Sequence, residues 1–254
     1  PLAVRVELAH AAACRLAEHE GVDVLVLKGP RMDPSVAFPG RSSSDVDLLV
    51  RPAQLGRYLR ALEAHGARAL DSFATGSPFG HSTTLFSPVW GHIDVHRLVP
   101  GIEVDPAVAF DSLWGRREQV TFGGIPAWAP QPAAQALVLG LHAARSARDG
   151  RARADVEHAW GSASPGRRAD IESLVEELRA EVAWAAATGG LEAFRDRSSY
   201  RLWRAVSLGE GRVAEWRGRV AAAVGLRAKL AVLARAPWVN VDHLTILLGR
   251  RPTR

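Results

Sequence analysis

The chain has 254 residues, of which 47% are hydrophobic and 23% charged, a composition typical of a folded globular protein. Its 32 lysines and arginines against 27 aspartates and glutamates give a formal net charge of +5, too modest to indicate a nucleic-acid-binding protein by itself. The single cysteine, Cys14, excludes a disulfide framework and a cysteine zinc site. Because no apolar run has membrane-spanning length and no signal pattern opens the chain, we expect a cytoplasmic protein without a membrane partner.

The first predicted elements are a helix and a buried strand. Apolar residues at helical spacing predict the helix over residues 2–20, with Gly21 as its C-cap. Residues 22–27 then predict a core strand that runs directly into a Lys-Gly-Pro turn. A glycine there lets backbone N–H groups approach a phosphate and the lysine supplies positive charge, so Lys28 and Gly29 are candidate phosphate-binding residues. The alternatives are a lysine at a strand end and an ordinary turn glycine.

A loop over residues 30–44 leads to a second predicted strand, residues 45–50, which carries two aspartates. Alternate side chains of a strand share a face, so Asp45 and Asp47 are expected to project together. Two adjacent carboxylates repel each other unless a cation neutralises them, and Mg²⁺ is a hard cation that prefers oxygen ligands. This strand therefore predicts a metal site. The alternative is a pair of solvated acids at a strand start.

The loop itself contributes three further candidates for phosphate binding. Arg41 is able to clamp a phosphate through two N–H groups, or to pair with a nearby acid. Ser43 and Ser44 offer hydroxyl groups to the same ligand. Ordinary loop roles are the alternative for both serines.

A short helical and strand-rich stretch follows. Residues 52–65 predict a helix that begins at a proline, and residues 67–74 and 81–88 predict strands separated by a turn at 76–78. Together with the strand that comes next, they predict a short mixed sheet flanked by helices.

That next strand, residues 90–99, carries Asp94 and His96 on one face. Asp94 would complete a cage of three carboxylates, hold the metal and help to deprotonate an attacking hydroxyl. The alternative for Asp94 is an exposed acid on an edge strand. For His96 we consider orientation of the metal site, contact with the substrate, or an ordinary place in the sheet.

The rest of the chain predicts mainly helices. A short helix over residues 105–114 precedes a hairpin around the Gly-Gly pair of residues 120–128. Further helices are predicted over residues 132–148, 153–162, 166–187, 200–206, 210–224 and 226–235. We place a domain boundary near residue 130, with a catalytic domain over residues 1–130 and a helical domain over residues 131–254.

The order of these motifs resembles a known superfamily. Leu-Lys-Gly at residues 27–29, Arg-x-x-x-Asp-Val-Asp-Leu-Leu-Val at residues 41–50 and Ile-Asp-Val-His at residues 93–96 look like the nucleotidyltransferase superfamily that includes DNA polymerase β and the antibiotic nucleotidyltransferases. More narrowly, residues 20–160 resemble a family of bacterial proteins described as uncharacterised nucleotidyltransferases. The resemblance implies an α+β fold, with a short mixed β-sheet flanked by helices and a C-terminal helical region that covers the nucleotide or binds the acceptor.

The same resemblance implies an activity. It would be a nucleotidyltransferase that uses Mg²⁺, or alternatively Mn²⁺, to transfer NMP from an NTP such as ATP or GTP to a hydroxyl of a small molecule or peptide, with release of pyrophosphate. Asp45, Asp47 and Asp94 would hold two metal ions. A toxin-like enzyme that acts on a protein or on a tRNA 3′ end, an inactive nucleotide-binding or partner-binding member, and an RNA-binding module are the alternatives.

One position departs from the superfamily pattern. The usual Gly-Ser or Gly-Gly after the first strand is Gly29-Pro30 here, and Pro30 has no N–H to donate to a phosphate. The expected phosphate grip therefore shifts to Lys28, Arg41 and the serine hydroxyls of residues 42–44.

Overall fold

The structure is a computed structural model that describes residues 2–75, 79–146, 149–223 and 225–235. The predicted turn at residues 76–78, the ends of two predicted helices at 147–148 and 224, and residues 236–254 of the predicted helical domain lie outside the described residues. Among the helices that are described, none is both long and apolar enough to cross a membrane.

The elements follow the predicted order. The strands are β1 Val24–Lys28, β2 Val46–Val50, β3 Arg68–Ala69, β4 Ser82–Ser87, β5 Gly91–His96, β6 Arg117–Phe122 and β7 Ile125–Pro130. The α-helices are α1 Leu2–His19, α2 Leu55–Ala64, α3 Pro106–Gly115, α4 Pro132–Ala144, α5 Gly150–Val156, α6 Pro165–Glu177, α7 Glu181–Thr188, α8 Tyr200–Ser207, α9 Arg212–Ala222 and α10 Leu226–Arg235. Short 3₁₀ turns at Pro52–Gln54 and Leu191–Phe194 and a π-helical turn at Glu157–Gly161 complete the described elements.

Five strands form one mixed sheet in the order β1-β2-β5-β4-β3, and β6 and β7 form a separate antiparallel hairpin. Strand β2 pairs in parallel with β5, while its other neighbour β1 and the remaining pairs are antiparallel. The predicted α+β fold with a short mixed sheet is thereby confirmed.

One face of this sheet is an apolar core. In β2, Val46 and Leu48 are fully buried on this face, as is Val95 of β5. Helix α1 packs against them through a stripe of alanines, and small side chains let a helix approach a sheet closely. The hydroxyl of Tyr58 in α2 is fully buried as well and donates to the carbonyl oxygen of Ala13 at 2.9 Å. This core fixes which face of β2 remains for polar side chains.

Two predicted elements were wrong in their extent. The predicted strand over residues 67–74 is reduced to the two residues of β3. Beyond β3, Asp71 replaces regular strand pairing, since its carbonyl oxygen accepts from the Thr83 hydroxyl and its carboxylate accepts from the backbone N–H of Thr84 in β4. The predicted helix over residues 166–187 is two helices, α6 and α7. Arg179, between them, adopts a φ of +52°, which no α-helix accommodates.

The described chain divides into two compact units. The first comprises residues 2–100 and Val104–Gln135, and therefore contains both sheets. The second comprises Gly101–Glu103 and residues 136–235 and is helical, with a core that includes Ile171, Trp184 and Trp203. In that core the Trp184 ring packs against Gly140, where a Cβ atom would lie 2.2 Å from the ring. The predicted assignment of roles on either side of residue 130 stays a prediction.

Candidate active site

The pairing of β1 with β2 contains an irregularity that decides where Lys28 points. Val24 opposes Val50 and Val26 opposes Leu48, so regular pairing would set Lys28 opposite Val46, on the apolar face. The register instead shifts between Val26 and Lys28, and Lys28 opposes Asp47. Such a bulge re-aims a side chain to the other face of the sheet. Lys28 therefore lies on the face of Asp47.

The pairing of β2 with β5 brings two acids together. Asp47 and Asp94 are direct partners in the parallel register, and neighbouring partners project from the same face. Two residues after Asp94, His96 shares this face, and Thr84 of β4 lies opposite Asp94. Four strands thus each contribute at least one polar side chain to one patch.

The hydrogen bonds within this patch are short and specific. His96 Nε2 donates to Asp47 Oδ1 at 2.9 Å, and Lys28 Nζ lies 3.1 Å from Asp47 Oδ2. The Thr84 hydroxyl donates to Asp94 Oδ1 at 2.7 Å. Each carboxylate is therefore held in a defined orientation, Asp47 by two donors and Asp94 by one neutral hydroxyl.

The two acids experience opposite electrostatic environments. Burial by itself raises the pKa of Asp47, but the Lys28 ammonium and the His96 hydrogen bond outweigh it and hold that pKa far below its usual range. Burial and the Asp47 charge raise the pKa of Asp94 to about 7, with a smaller contribution from Asp45 and against the Thr84 hydrogen bond. The Lys28 ammonium thus pairs with Asp47, and Asp94 lies beside a second negative charge.

The patch has the donor set of a metal site. Ligand atoms of Asp47, Asp94 and His96 lie within 4.8 Å of one another, the group of this kind found among the described residues. Two oxygen donors side by side, one with a raised pKa, fit a hard divalent cation, because such a cation removes the repulsion that keeps Asp94 protonated. The residues therefore fit Mg²⁺ or Mn²⁺.

Asp45 lies at the edge of this patch. Strand β2 begins at Val46, one residue later than predicted, and Asp45 occupies the bend before it, half-buried. Its carbonyl oxygen accepts a hydrogen bond from the Ser43 hydroxyl at 3.0 Å. The serine side chain thereby satisfies a backbone group that lies outside the strand. The tight group of ligand atoms does not include Asp45, although its charge raises the pKa of Asp94.

The comparisons with known proteins identify the family. Residues 5–194 match the model of a family described as uncharacterised nucleotidyltransferase. The chain belongs to this family. The recognition made from the sequence motifs is thereby confirmed, and the protein is an enzyme of the nucleotidyltransferase class.

Several solved structures also resemble the chain. The antibiotic-resistance factor ANT(2'')-Ia has 13% identity over 75% of this chain and 91% of its own, with a TM-score of 0.41. The lincosamide antibiotic adenylyltransferase LnuA, solved with lincomycin bound, has 16% identity over 63% and 90%, with a TM-score of 0.35. An antigenic nucleotidyltransferase-like protein from Paracoccidioides brasiliensis has 13% identity over 76% and 97%, with a TM-score of 0.38. No curated protein sequence matches the chain.

The remaining predicted residues of this nucleotidyltransferase lie in or next to the loop before β2. Arg41 is half-buried, and its backbone N–H donates to the carbonyl oxygen of Phe38 at 3.1 Å. Ser44 is exposed directly before Asp45, and Pro30 is exposed directly after the buried Gly29. Roles in phosphate binding for these loop residues stay predictions.

Gly29 has a packing reason that the sequence analysis missed. A Cβ atom on Gly29 would lie 2.7 Å from His10 Nε2, so the turn tolerates no side chain there. His10 of α1 is fully buried, stacks on Phe122 at 4.7 Å and bonds to the carbonyl oxygen of Val6 at 2.7 Å. The sequence contained a signal for this contact, because the polar residue His10 falls within the buried alanine stripe of α1.

A second missed residue lies behind His96. His81 is buried, and its ring centroid lies 5.2 Å from that of His96. His81 therefore packs against the ring that holds Asp47. Nothing in the spacing of His81 from Asp94 pointed to this contact, which depends on the pairing of β4 with β5.

Proposed function

We propose that this enzyme transfers an NMP group from ATP or GTP to a hydroxyl of a small molecule or peptide, with release of pyrophosphate, and that it requires Mg²⁺ or Mn²⁺. The observation that carries the proposal is the in-register pair of Asp47 and Asp94, whose ligand atoms lie close together with that of His96. Family membership supports the reaction class, and the carboxylate pair supports this patch as the active site.

The metal requirement rests on the charge balance of the patch. Asp47 and Asp94 would hold the cation, and Asp45 is the candidate for a third ligand from the edge. A divalent cation bound there would neutralise negative charge that develops on the transferred phosphoryl group. His96, in the interior, keeps Asp47 oriented through its hydrogen bond to Oδ1.

The protein side chains have separate roles in the transfer step. The acceptor oxygen forms a bond to the α-phosphorus while the bond from that phosphorus to the bridging oxygen breaks, and pyrophosphate leaves. Asp94 is the candidate to receive the acceptor's hydroxyl proton, because it lies beside Asp47 at the place proposed for the cation. Lys28 is the candidate to neutralise the leaving pyrophosphate, with Arg41, Ser43 and Ser44 as further candidates for phosphate binding.

A small-molecule or peptide acceptor fits the charge of the chain better than RNA does. A net charge of +5 over 254 residues supplies little of the electrostatic attraction on which RNA binding depends. Acceptor binding by the helical unit stays part of the proposal.

The activity is tested by pyrophosphate release and by label transfer from each α-³²P-NTP in a cell extract with Mg²⁺. The wild type is compared with Asp47→Asn and with Asp170→Asn, a matched change of charge on the exposed surface of α6. We expect label transfer with the wild type and with Asp170→Asn, and none with Asp47→Asn. The class of labelled product identifies the acceptor.

A nucleotide-binding test separates the alternatives. An inactive member, for which Pro30 is the supporting observation, would bind nucleotide and metal but release no pyrophosphate with any extract. Absence of both transfer and metal-dependent nucleotide binding would overturn the proposed function.

A further inference from the structure

Both oxygens of the Asp47 carboxylate already have cationic or N–H partners. Oδ1 accepts from His96 Nε2, and Oδ2 lies 3.1 Å from Lys28 Nζ. A divalent cation that bridges Asp47 and Asp94 would share a carboxylate with the ammonium, and the two positive charges would repel each other at close range. Cation binding is therefore more favourable when one of the two partners moves away.

Lys28 is the partner that is free to move. The His96 side chain is 4% exposed and its ring packs against that of His81, so displacement would disrupt the interior. The Lys28 side chain is 13% exposed and has a flexible four-carbon stem.

We propose that Lys28 is a positioning residue that couples metal binding to nucleotide binding. Its ammonium neutralises Asp47 while no cation is bound, and it moves to the triphosphate when a divalent cation and a nucleotide arrive together. The inference rests on the proposed function, which it extends by making the binding of the cation and the binding of the nucleotide depend on each other.

The position of Lys28 serves both states. The bulge in β1 sets its side chain on the face of Asp47, and the next residues are the turn and the loop in which the sequence predicts phosphate contacts. Lysine also suits the role better than arginine does. An arginine fork would bind both oxygens of one carboxylate and hold them, whereas an ammonium is a compact point charge.

The thermodynamic consequence is reciprocal. A cation alone must displace the ammonium from Asp47 with no anion to receive it, so the cation binds weakly until a triphosphate is present. By linkage, nucleotide then strengthens cation binding by the same factor as the cation strengthens nucleotide binding. Loss of the ammonium removes much of this coupling.

The test measures Mn²⁺ alone, by electron paramagnetic resonance of free Mn²⁺, for the full chain and its Lys28→Met variant. The control is Lys229→Met, which removes the other lysine of the chain, an exposed residue of α10. We expect Lys28→Met to bind Mn²⁺ about tenfold more tightly than the wild type, and Lys229→Met to equal the wild type.

A second measurement gives the affinity for a non-hydrolysable ATP or GTP analogue, with EDTA and with saturating Mn²⁺. We expect Lys28→Met to leave the affinity in EDTA unchanged and to weaken it about tenfold with Mn²⁺. A lysine that only binds phosphate would weaken the affinity in both conditions. That result, or an unchanged Mn²⁺ affinity, would overturn the inference.

A charge-preserving variant keeps the test decisive if Lys28→Met does not fold. Lys28→Arg is expected to weaken Mn²⁺ binding about tenfold, because the guanidinium holds both oxygens of Asp47. If Mn²⁺ binds the wild type and Lys28→Arg equally, the inference fails while the metal centre stands. If Mn²⁺ binds none of the proteins even with the nucleotide analogue present, the metal centre and the proposed function fail together.

Discussion

Strands β2 and β5 present one face to an apolar core and the other to a cluster of acids and histidine. Leu48 on the first face is fully buried and Asp47 on the second is 4% exposed, so burial does not distinguish them. Their partners do. Leu48 belongs to a cluster of buried hydrophobic side chains, whereas Asp47 depends on two donors and repels Asp94. The apolar face therefore stabilises the fold, and the polar face retains a cost in stability that a bound cation would remove.

The largest effect should come from Asp94→Asn, because this one variant tests both the proposed role of Asp94 in transfer and its cost to stability. The amide oxygen still accepts from the Thr84 hydroxyl, but the charge that opposes Asp47 is lost. We expect transferase activity to fall about 10²–10⁴-fold. We also expect the metal-free protein to gain about 0.5–2 kcal/mol in its free energy of unfolding.

The pH dependence of stability checks the sign of this effect. Because the pKa of Asp94 rises from its ordinary 3.8 in the unfolded chain to about 7 in the folded protein, folding between those pH values requires the carboxyl to take up a proton. Stability of the metal-free wild type should therefore decrease as pH rises from about 4 to about 7 through this group. Asp94→Asn should lack that contribution. A thermal melt in which Asp94→Asn is the less stable protein would contradict the comparison.

Leu48→Ala should show the opposite pattern. Removal of a fully buried side chain leaves a cavity, and we expect a loss of about 2–5 kcal/mol in the free energy of unfolding. Activity per folded molecule should be unchanged below the melting temperature, because the polar side chains of the patch lie on the opposite face of the sheet and keep their positions. The control is Val89→Ala, at a position 62% exposed, with an expected effect within about 0.5 kcal/mol. Denaturant unfolding and activity, both measured on the same preparations, check this prediction.

The smallest effect concerns how pH governs cation uptake. Below about pH 7 the Asp94 carboxyl carries a proton that a cation must displace, so Mn²⁺ affinity should rise about tenfold per pH unit up to that point and level off above it. Thr84→Val removes the hydrogen bond that lowers this pKa and should move the plateau to higher pH, with affinity several-fold weaker at pH 7. Isothermal titration from pH 5.5 to 8.5 measures both, and identical profiles for the two proteins would exclude Asp94 as the titrating ligand.

Much of the fold and part of the site could be predicted from the sequence because the relevant signals are local. Alternation predicted a shared face for Asp45 and Asp47 in β2 and for Asp94 and His96 in β5, and within the strands themselves this identified the polar face correctly. Glycine and proline marked the turns, and helical spacing marked most helices. The family motif then supplied the order in which these elements come together.

The rest could not be predicted because it depends on pairing between distant segments. The bulge that re-aims Lys28 appears only in the register of β1 against β2. The contact of Thr84 with Asp94 follows from β4 lying beside β5, and neither residue carries a motif. The break at Arg179 also has no proline or glycine to announce it.

The parallel pairing of β2 with β5 also has a consequence for how the chain folds. The hairpin of β4 and β5 forms between neighbours in sequence, but β2 reaches β5 only after the intervening helix and strands close a long loop. Such non-local contacts form slowly, because loop entropy is lost before the contact contributes. Repulsion between Asp47 and Asp94 arises at that same step. The Lys28 ammonium, which pairs with Asp47 from the neighbouring strand β1, therefore lowers the cost of that closure before any cation is bound, so that a residue proposed for the site also assists the assembly of the sheet.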